Sequence, residues 1–263
     1  MRRVSPQSRR WESDVAMILP VALIHGWGQH GGIWTSLLEH LDAPAVCNFE
    51  LPGHGAAPAA DFALDALADA YAAKSPASCV VIAWSLGAQI ALRWAQRHPQ
   101  QVTKLVLFSA TPCFGERSDW PHGSPTAVQE AFYAQVAAAP ERALQRFSDL
   151  LAEGEVDVRS VRRALRAQLA AQALPTATTL LAGLRFLADT DLRSSLRETP
   201  PRQPILLVHG EGDTITSFAA GRWLADILPR ARLHALPHCG HAPMISHAAE
   251  TAAVITAFLD EPI

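Results

Sequence analysis

The sequence predicts an α/β protein: an open, mostly parallel sheet with helices on both faces, interrupted by an all-helical segment. Three observations predict it. Short apolar, partly β-branched runs at residues 15–24, 45–51, 79–83, 102–109, 205–208 and 232–236 have the length and composition of strands. Segments of helical periodicity separate most of them, and strand alternating with helix argues for a parallel sheet. From residue 114 to 190 that alternation stops, and helix follows helix with no strand between. Ligands of such sheets bind beyond the carboxyl ends of the strands, so the loops there are where chemistry is expected.

Size and composition bound the reading. A chain of 263 residues fits one large domain. Hydrophobic residues make up 49%, as in a globular protein, and a net charge of −3 gives no general drive toward nucleic acid. The longest apolar run, 15–24, is half a membrane span and contains Pro20. Arg2, Arg3, Arg9 and Arg10 could open an export signal, but no apolar stretch with a small-residue cleavage site follows. A cytoplasmic monomer without a membrane anchor is expected. Cys47, Cys79, Cys113 and Cys239 form no C-x-x-C pair, so reduced structural thiols and no zinc site are expected.

Taken in order, residues 1–14 are a polar, Arg-rich lead-in. The first strand, 15–24, runs into His25-Gly26-Trp27-Gly28, where glycines directly after a strand let backbone N–H groups face a ligand. No G-K-[ST] follows, so this is not a phosphate loop. A helix is expected over 33–41, then a strand over 45–51 leading into Leu51-Pro52-Gly53-His54-Gly55, where His54 reads as structural. An Ala-rich helix over 59–74 precedes the strand at 79–83. Next comes Trp84-Ser85-Leu86-Gly87, and a helix to His98, stopped by Pro99.

Ser85 therefore lies on a strand-to-helix turn, where a tight turn would lift its hydroxyl out of the sheet. Such a turn needs small residues two before and two after the Ser. Here they are Ala83 and Gly87, and Ala83 stands where the usual pattern has Gly. Nucleophilic catalysis by Ser also needs a base, an acid to orient it, and donors for the oxyanion. Asp213 follows the strand at 205–208, and His241 follows the strand at 232–236, giving the order Ser, Asp, His. His238 and Glu211 compete as base and acid. His241 is preferred because it follows Gly240 and precedes Ala242-Pro243. The N–H groups of Trp27 and Leu86 are the expected oxyanion donors. This set implies ester hydrolysis through an acyl-enzyme and needs no cofactor and no metal.

The helical run at 114–190 reads as a lid inserted between core segments 1–113 and 191–263. Helices are expected over 124–138, 141–153, 158–173 and 176–187, punctuated by Pro125, Pro140, Gly154 and Pro175. Trp120, Phe132, Phe147, Leu150 and Leu151 are candidate pocket walls or the lid's own core. Arg159, Arg162, Arg163 and Arg166 follow i, i+3, i+4, i+7 spacing with no acid among them, and Arg142 and Arg146 lie upstream, four apart. This face is either simply solvated or a docking surface for an acidic protein partner. After it come a helix over 217–228 and a final helix over 248–259.

These motifs resemble the α/β-hydrolase superfamily over almost the whole chain. Within it the sequence is similar to the pimeloyl-[acyl-carrier protein] methyl ester esterases of biotin synthesis. The resemblance rests on His25-Gly26-Trp27-Gly28, Leu51-Pro52-Gly53-His54-Gly55, Trp84-Ser85-Leu86-Gly87, Pro112-Cys113-Phe114 with Asp119-Trp120-Pro121, and His241-Ala242-Pro243-Met244-Ile245-Ser246-His247. It implies an α/β-hydrolase fold and hydrolysis of the methyl ester of a pimeloyl group on acyl carrier protein. It also implies that Trp27, Ser85, Leu86 and His241 contact substrate, that 147–151 lines the acyl channel, and that Arg142, Arg146, Arg159 and Arg163 meet the carrier. The departures are Ala83 in the elbow and an N-terminus short of a convincing first strand pair. A general short-chain carboxylesterase, a C–C bond hydrolase and a non-catalytic ligand-binding relative remain as alternatives.

Overall fold

The computed structural model describes residues 19–42 and 46–263. The elements run β1 (Val21–Ile24), a 3-10 turn (Gly31–Trp34), α1 (Thr35–Leu38), β2 (Val46–Phe49), α2 (Leu64–Lys74), β3 (Cys79–Trp84), α3 (Leu86–Arg97) and β4 (Val102–Phe108). After β4 come α4 (Thr126–Ala138), α5 (Pro140–Leu151), α6 (Val158–Ala170), α7 (Ala177–Asp189) and α8 (Arg193–Glu198). The sheet resumes with β5 (Ile205–Gly210), α9 (Phe218–Ile227), β6 (Ala231–Leu236), α10 (Pro243–Ser246) and α11 (Ala248–Asp260).

The six strands pair in the order β2-β1-β3-β4-β5-β6, all parallel. Every described residue of β1, β3 and β5 is buried, which is why these strands read as unbroken apolar runs: a parallel sheet is covered on both faces. β6 lies at the edge and is only partly buried. The chain leaves β1 for β2 on one side and returns to β3 on the other. The loops after β1 and β3 therefore flank the point where strand order reverses, the place such sheets bind ligands.

Several elements depart from the sequence reading. The first part of the 15–24 run and Ala45 lie outside the described residues, as does the 1–14 lead-in, and β1 begins only after Pro20. Residues 59–63 are not helical: Pro58 turns its carbonyl back to accept from Gly53 N–H at 3.0 Å, and α2 starts at Leu64. The helix expected at 33–41 is a 3-10 turn followed by a single α turn. Sequence reasoning missed α8; just before it, Asp191 accepts the Arg193 N–H at 3.0 Å.

Between β4 and β5 every regular element of the described chain is a helix, and strand pairing is limited to isolated bridges. Asp157 caps α6 by accepting from Ser160 N–H at 3.0 Å, Thr176 caps α7 by accepting from Thr179 N–H at 3.2 Å, and Pro140 opens α5. The two ends of this excursion meet. Cys113 and Asp191 form an antiparallel bridge, and Leu192 N–H donates to Pro112 O at 2.9 Å.

Candidate active site

Ser85 sits between β3 and α3 with φ 55° and ψ −116°, a backbone region that L-residues rarely adopt. Holding it costs about 1–3 kcal/mol, which the surrounding structure must supply. Two contacts supply it. Ser85 N–H donates to Phe108 O at 3.0 Å, and Gly87 lets α3 pack against the end of β1. A Cβ at Gly87 would meet the carbonyl oxygens of Ile24 and His25 at 2.5 and 2.6 Å. Ala83 is fully buried and stays in register with Ile24 and Leu107, so the extra methyl is absorbed within the strand.

His241 Nε2 lies 3.0 Å from Ser85 Oγ, and His241 Nδ1 lies 2.7 Å from Asp213 Oδ2. The consistent tautomer donates Nδ1–H to the carboxylate and leaves Nε2 to accept the serine proton. Asp213 Oδ1 accepts from the N–H groups of Ile215 and Thr216 at 2.9 and 3.0 Å, and Thr216 Oγ1 donates to Oδ2 at 2.8 Å. Burial alone would raise the Asp213 carboxyl. The imidazoles of His241 and His209 outweigh it and hold the group far below the usual carboxylate range. The carboxylate is thus fixed and charged. His238 and Glu211, the competing base and acid, are both exposed, whereas His241 and the Asp213 side chain are completely buried.

Sequence reasoning missed what holds the histidine. Trp84 Nε1–H donates to His241 O at 2.8 Å, and Ser109 Oγ donates to the same oxygen at 3.0 Å. His241 N–H donates to Leu151 O at 3.2 Å. The tryptophan before the nucleophile therefore clamps the base's loop. The signal was present in Trp84-Ser85, but only the fold shows which loop the indole reaches.

The expected oxyanion donors flank Ser85. Leu86 N–H is the first of α3, where an amide has no intrahelical partner. Trp27 N–H makes no backbone hydrogen bond among the described residues, and Gly26 brings it close: a Cβ there would lie 3.2 Å from Ser85 Cβ. His54 braces this loop, accepting Gly28 N–H at Nε2 (3.2 Å) while Nδ1–H donates to Pro52 O (2.9 Å). That pairing requires a neutral ring. Burial, aided by the His25 ring 5.5 Å away, pushes His54 down to about 4. The folded state thus resists protonation that the unfolded chain accepts near pH 6.5. His54's contribution is fully present above pH 6.5 and is lost as pH falls toward 4, by up to about 3 kcal/mol. Urea midpoints measured from pH 7 to 4 should fall along this window. A His54→Gln variant should show a shallower slope, and an unchanged slope would remove His54 as the cause.

Ser85 opens into a cavity of about 750 Å³ whose walls include Trp27, Phe132, Phe147, Leu150, Leu184 and Ile215. Trp27 meets Phe147 edge-on at 4.9 Å, and its indole N–H donates to Leu180 O at 2.9 Å, so β1's loop and helices α5 and α7 share this wall. Phe147 and Leu150, expected along an acyl channel, line this cavity. Leu151, expected there too, is fully buried beneath the His241 loop and does not line it. Trp120 also lies elsewhere, packed with Cys113 and Trp223. Phe114, Leu184 and Arg185 line the cavity without having been foreseen.

The arginine face divides in two. Arg162 and Arg166 both pair with Asp149 of α5, at 3.0 and 2.9 Å, which the sequence of α6 alone could not show. Arg142, Arg146, Arg159 and Arg163 are exposed and have no acidic partner within ion-pair distance among the described residues. Arg146 also reaches the cavity wall.

A serine, histidine and aspartate chain at strand ends, beside free backbone amides and an apolar chamber, can carry out acyl transfer through the serine hydroxyl. A model of the alpha/beta hydrolase family matches residues 21–254, and the chain belongs to that family. More particularly, it is 42% identical over 243 residues to the pimeloyl-[acyl-carrier protein] methyl ester esterase of Aromatoleum aromaticum, covering 89% of this chain and 96% of that one. It is 40% identical over 230 residues to the protein of that name from Nitrosomonas europaea, covering 86% and 90%. Among solved structures it resembles an esterase from Exiguobacterium antarcticum, with a TM-score of 0.80 at 18% identity over 92% of both chains. That likeness speaks for the fold.

Proposed function

We propose that this protein hydrolyses the methyl ester of a pimeloyl chain carried on acyl carrier protein, releasing methanol, in biotin synthesis. The observation that carries the reading is the hydrogen-bonded chain Ser85–His241–Asp213 opening into an apolar cavity with Arg146 on its wall. The relatives named above supply the substrate.

In this reading Ser85 Oγ attacks the ester carbonyl while His241 Nε2 takes its proton. The oxyanion rests on the N–H groups of Trp27 and Leu86, and Asp213 steadies the imidazolium. His241 returns the proton to the departing methoxide, giving methanol. Water, deprotonated by His241, then clears the acyl group from Ser85. The methylene chain runs along Phe147 and Leu150, and the carrier docks on Arg142, Arg146, Arg159 and Arg163. Helices α4 to α7 act as a lid over the cavity, between core segments 1–113 and 191–263. Among the described residues no helix is long and apolar enough to cross a membrane, and we place the enzyme in the cytoplasm as a monomer.

The test is methanol release from purified protein given pimeloyl-carrier methyl ester beside a small free methyl ester. Preferred turnover of the carrier-bound ester is expected. Good cleavage of the small ester with hardly any of the carrier-bound one would leave a general esterase and remove the biotin role.

A further inference from the structure

No metal motif is spelled by residues 155, 239 and 247 in the sequence, yet the fold collects them. Glu155 lies in the α5–α6 connection, Cys239 two residues before His241, and His247 at the start of α11. One ligand atom from each lies within 4.8 Å of the others. Cys239 Sγ is 3.7 Å from Glu155 Oε1, and His247 Nδ1 is 3.9 Å from Glu155 Oε2. A tetrahedral zinc ion with bonds of about 2.3 Å to sulfur and about 2.1 Å to nitrogen and oxygen would hold its ligands roughly 3.4–3.6 Å apart. With one ligand atom from each residue within 4.8 Å of the others, closing on a cation asks for shifts of up to about an ångström.

A second observation points the same way. Glu155 is only 8% exposed, and among the described residues no Lys or Arg pairs with it. Its Oε1 accepts Gly240 N–H at 2.8 Å, and its Oε2 faces the His247 ring, with Nδ1 3.9 Å away. Buried carboxylates are ordinarily paired with a cation or bound to a metal. The Cys239 thiol faces the same carboxylate, with Sγ 3.7 Å from Glu155 Oε1 and equally far from Gly240 O and Ser246 Oγ.

We propose that Glu155, Cys239 and His247 bind a zinc ion, outside the Ser85 cavity, that fastens the loop carrying His241. One sulfur, one imidazole nitrogen and one carboxylate oxygen form a donor set suited to this borderline-soft ion. The partly exposed His247 side marks the way in and leaves a fourth position for water. As the Zn–S bond forms, the thiol proton leaves to solvent. Thiolate and carboxylate then balance the ion's two charges, so the assembly is neutral where it is buried. Ser246 Oγ, now 2.8 Å from His247 Nδ1, rotates off that nitrogen. Glu155 Oε1 keeps its bond to Gly240, so the ion ties the α5–α6 connection to the catalytic loop.

The test strips the full chain with a chelator and titrates zinc chloride, following bound metal by equilibrium dialysis and the thermal midpoint in parallel. About one zinc per chain is expected, with the midpoint raised by roughly 5–10 °C at a hundredfold excess over Kd. Cys239→Ser and His247→Asn should each weaken binding at least tenfold, whereas Ser85→Ala should leave it intact. Cobalt(II) in place of zinc should give thiolate-to-cobalt absorption in the unsubstituted protein. No zinc retained at micromolar concentration, binding unaltered in both ligand variants, or bound cobalt without that absorption would each overturn the site.

Discussion

Ser85→Ala is expected to remove turnover almost completely, with kcat on any ester lowered about 10⁴- to 10⁶-fold while the protein stays folded. The size follows from what the hydroxyl does. Among the described residues it is the hydrogen-bond partner of His241 Nε2, at 3.0 Å, so without it the base has no proton to take and no acyl-enzyme can form. The Trp27 and Leu86 amides remain, and they sustain the residual rate. Substrate affinity should change little, because the cavity walls are untouched. Alanine keeps a Cβ at φ 55°, so the backbone strain persists; Ser85→Gly relieves it and should unfold about 1 kcal/mol later than Ser85→Ala. Methanol release and urea midpoints on the pair check both halves. A Ser85→Ala enzyme retaining a tenth of its kcat would mean that the nucleophile lies elsewhere.

The core was legible because each buried strand is apolar along its length and each chemical group sits at a strand's end. Ser85, Asp213 and His241 could be placed by following β3, β5 and β6 to their carboxyl ends, and the order of the three residues did the rest. What could not be read was anything that depends on two distant segments meeting. Leu151 has the composition of a channel wall, but its carbonyl is the acceptor for His241 N–H, which turns it inward. Residues 59–63 carry helical composition, but Gly53 captures the Pro58 carbonyl and holds the start of that segment in a turn. Arg162 and Arg166 look unpaired along α6 until α5 brings Asp149 between them. Thr216, Trp84 and Glu155 act on the catalytic loop from far along the chain, and no local pattern announces such a contact.

That division of the arginines sets the second large effect. Reversing Arg159 and Arg163 to Glu is expected to lower kcat/KM on the carrier-bound ester about 100-fold and to leave a small free methyl ester essentially unaffected. Both side chains are exposed and make no ion pair among the described residues, so their charge is available to an acidic carrier and their loss removes no internal contact. Neither lines the cavity, so a small ester reaches Ser85 as before. Arg162→Glu is the contrasting variant. It places a like charge against Asp149, and its effect should appear as a lower unfolding midpoint rather than as a selective loss on the carrier substrate. Salt supplies an independent reading. The Debye length shortens from about 10 Å at 0.1 M to about 3 Å at 1 M, so the unsubstituted enzyme's advantage on the carrier-bound ester should shrink with ionic strength, and the double variant should respond far less. Equal losses on both esters would place the damage in the catalytic chamber and end the docking interpretation. A selective, salt-sensitive loss would mean that substrate choice is made on the surface of α6, outside the cavity that holds the serine.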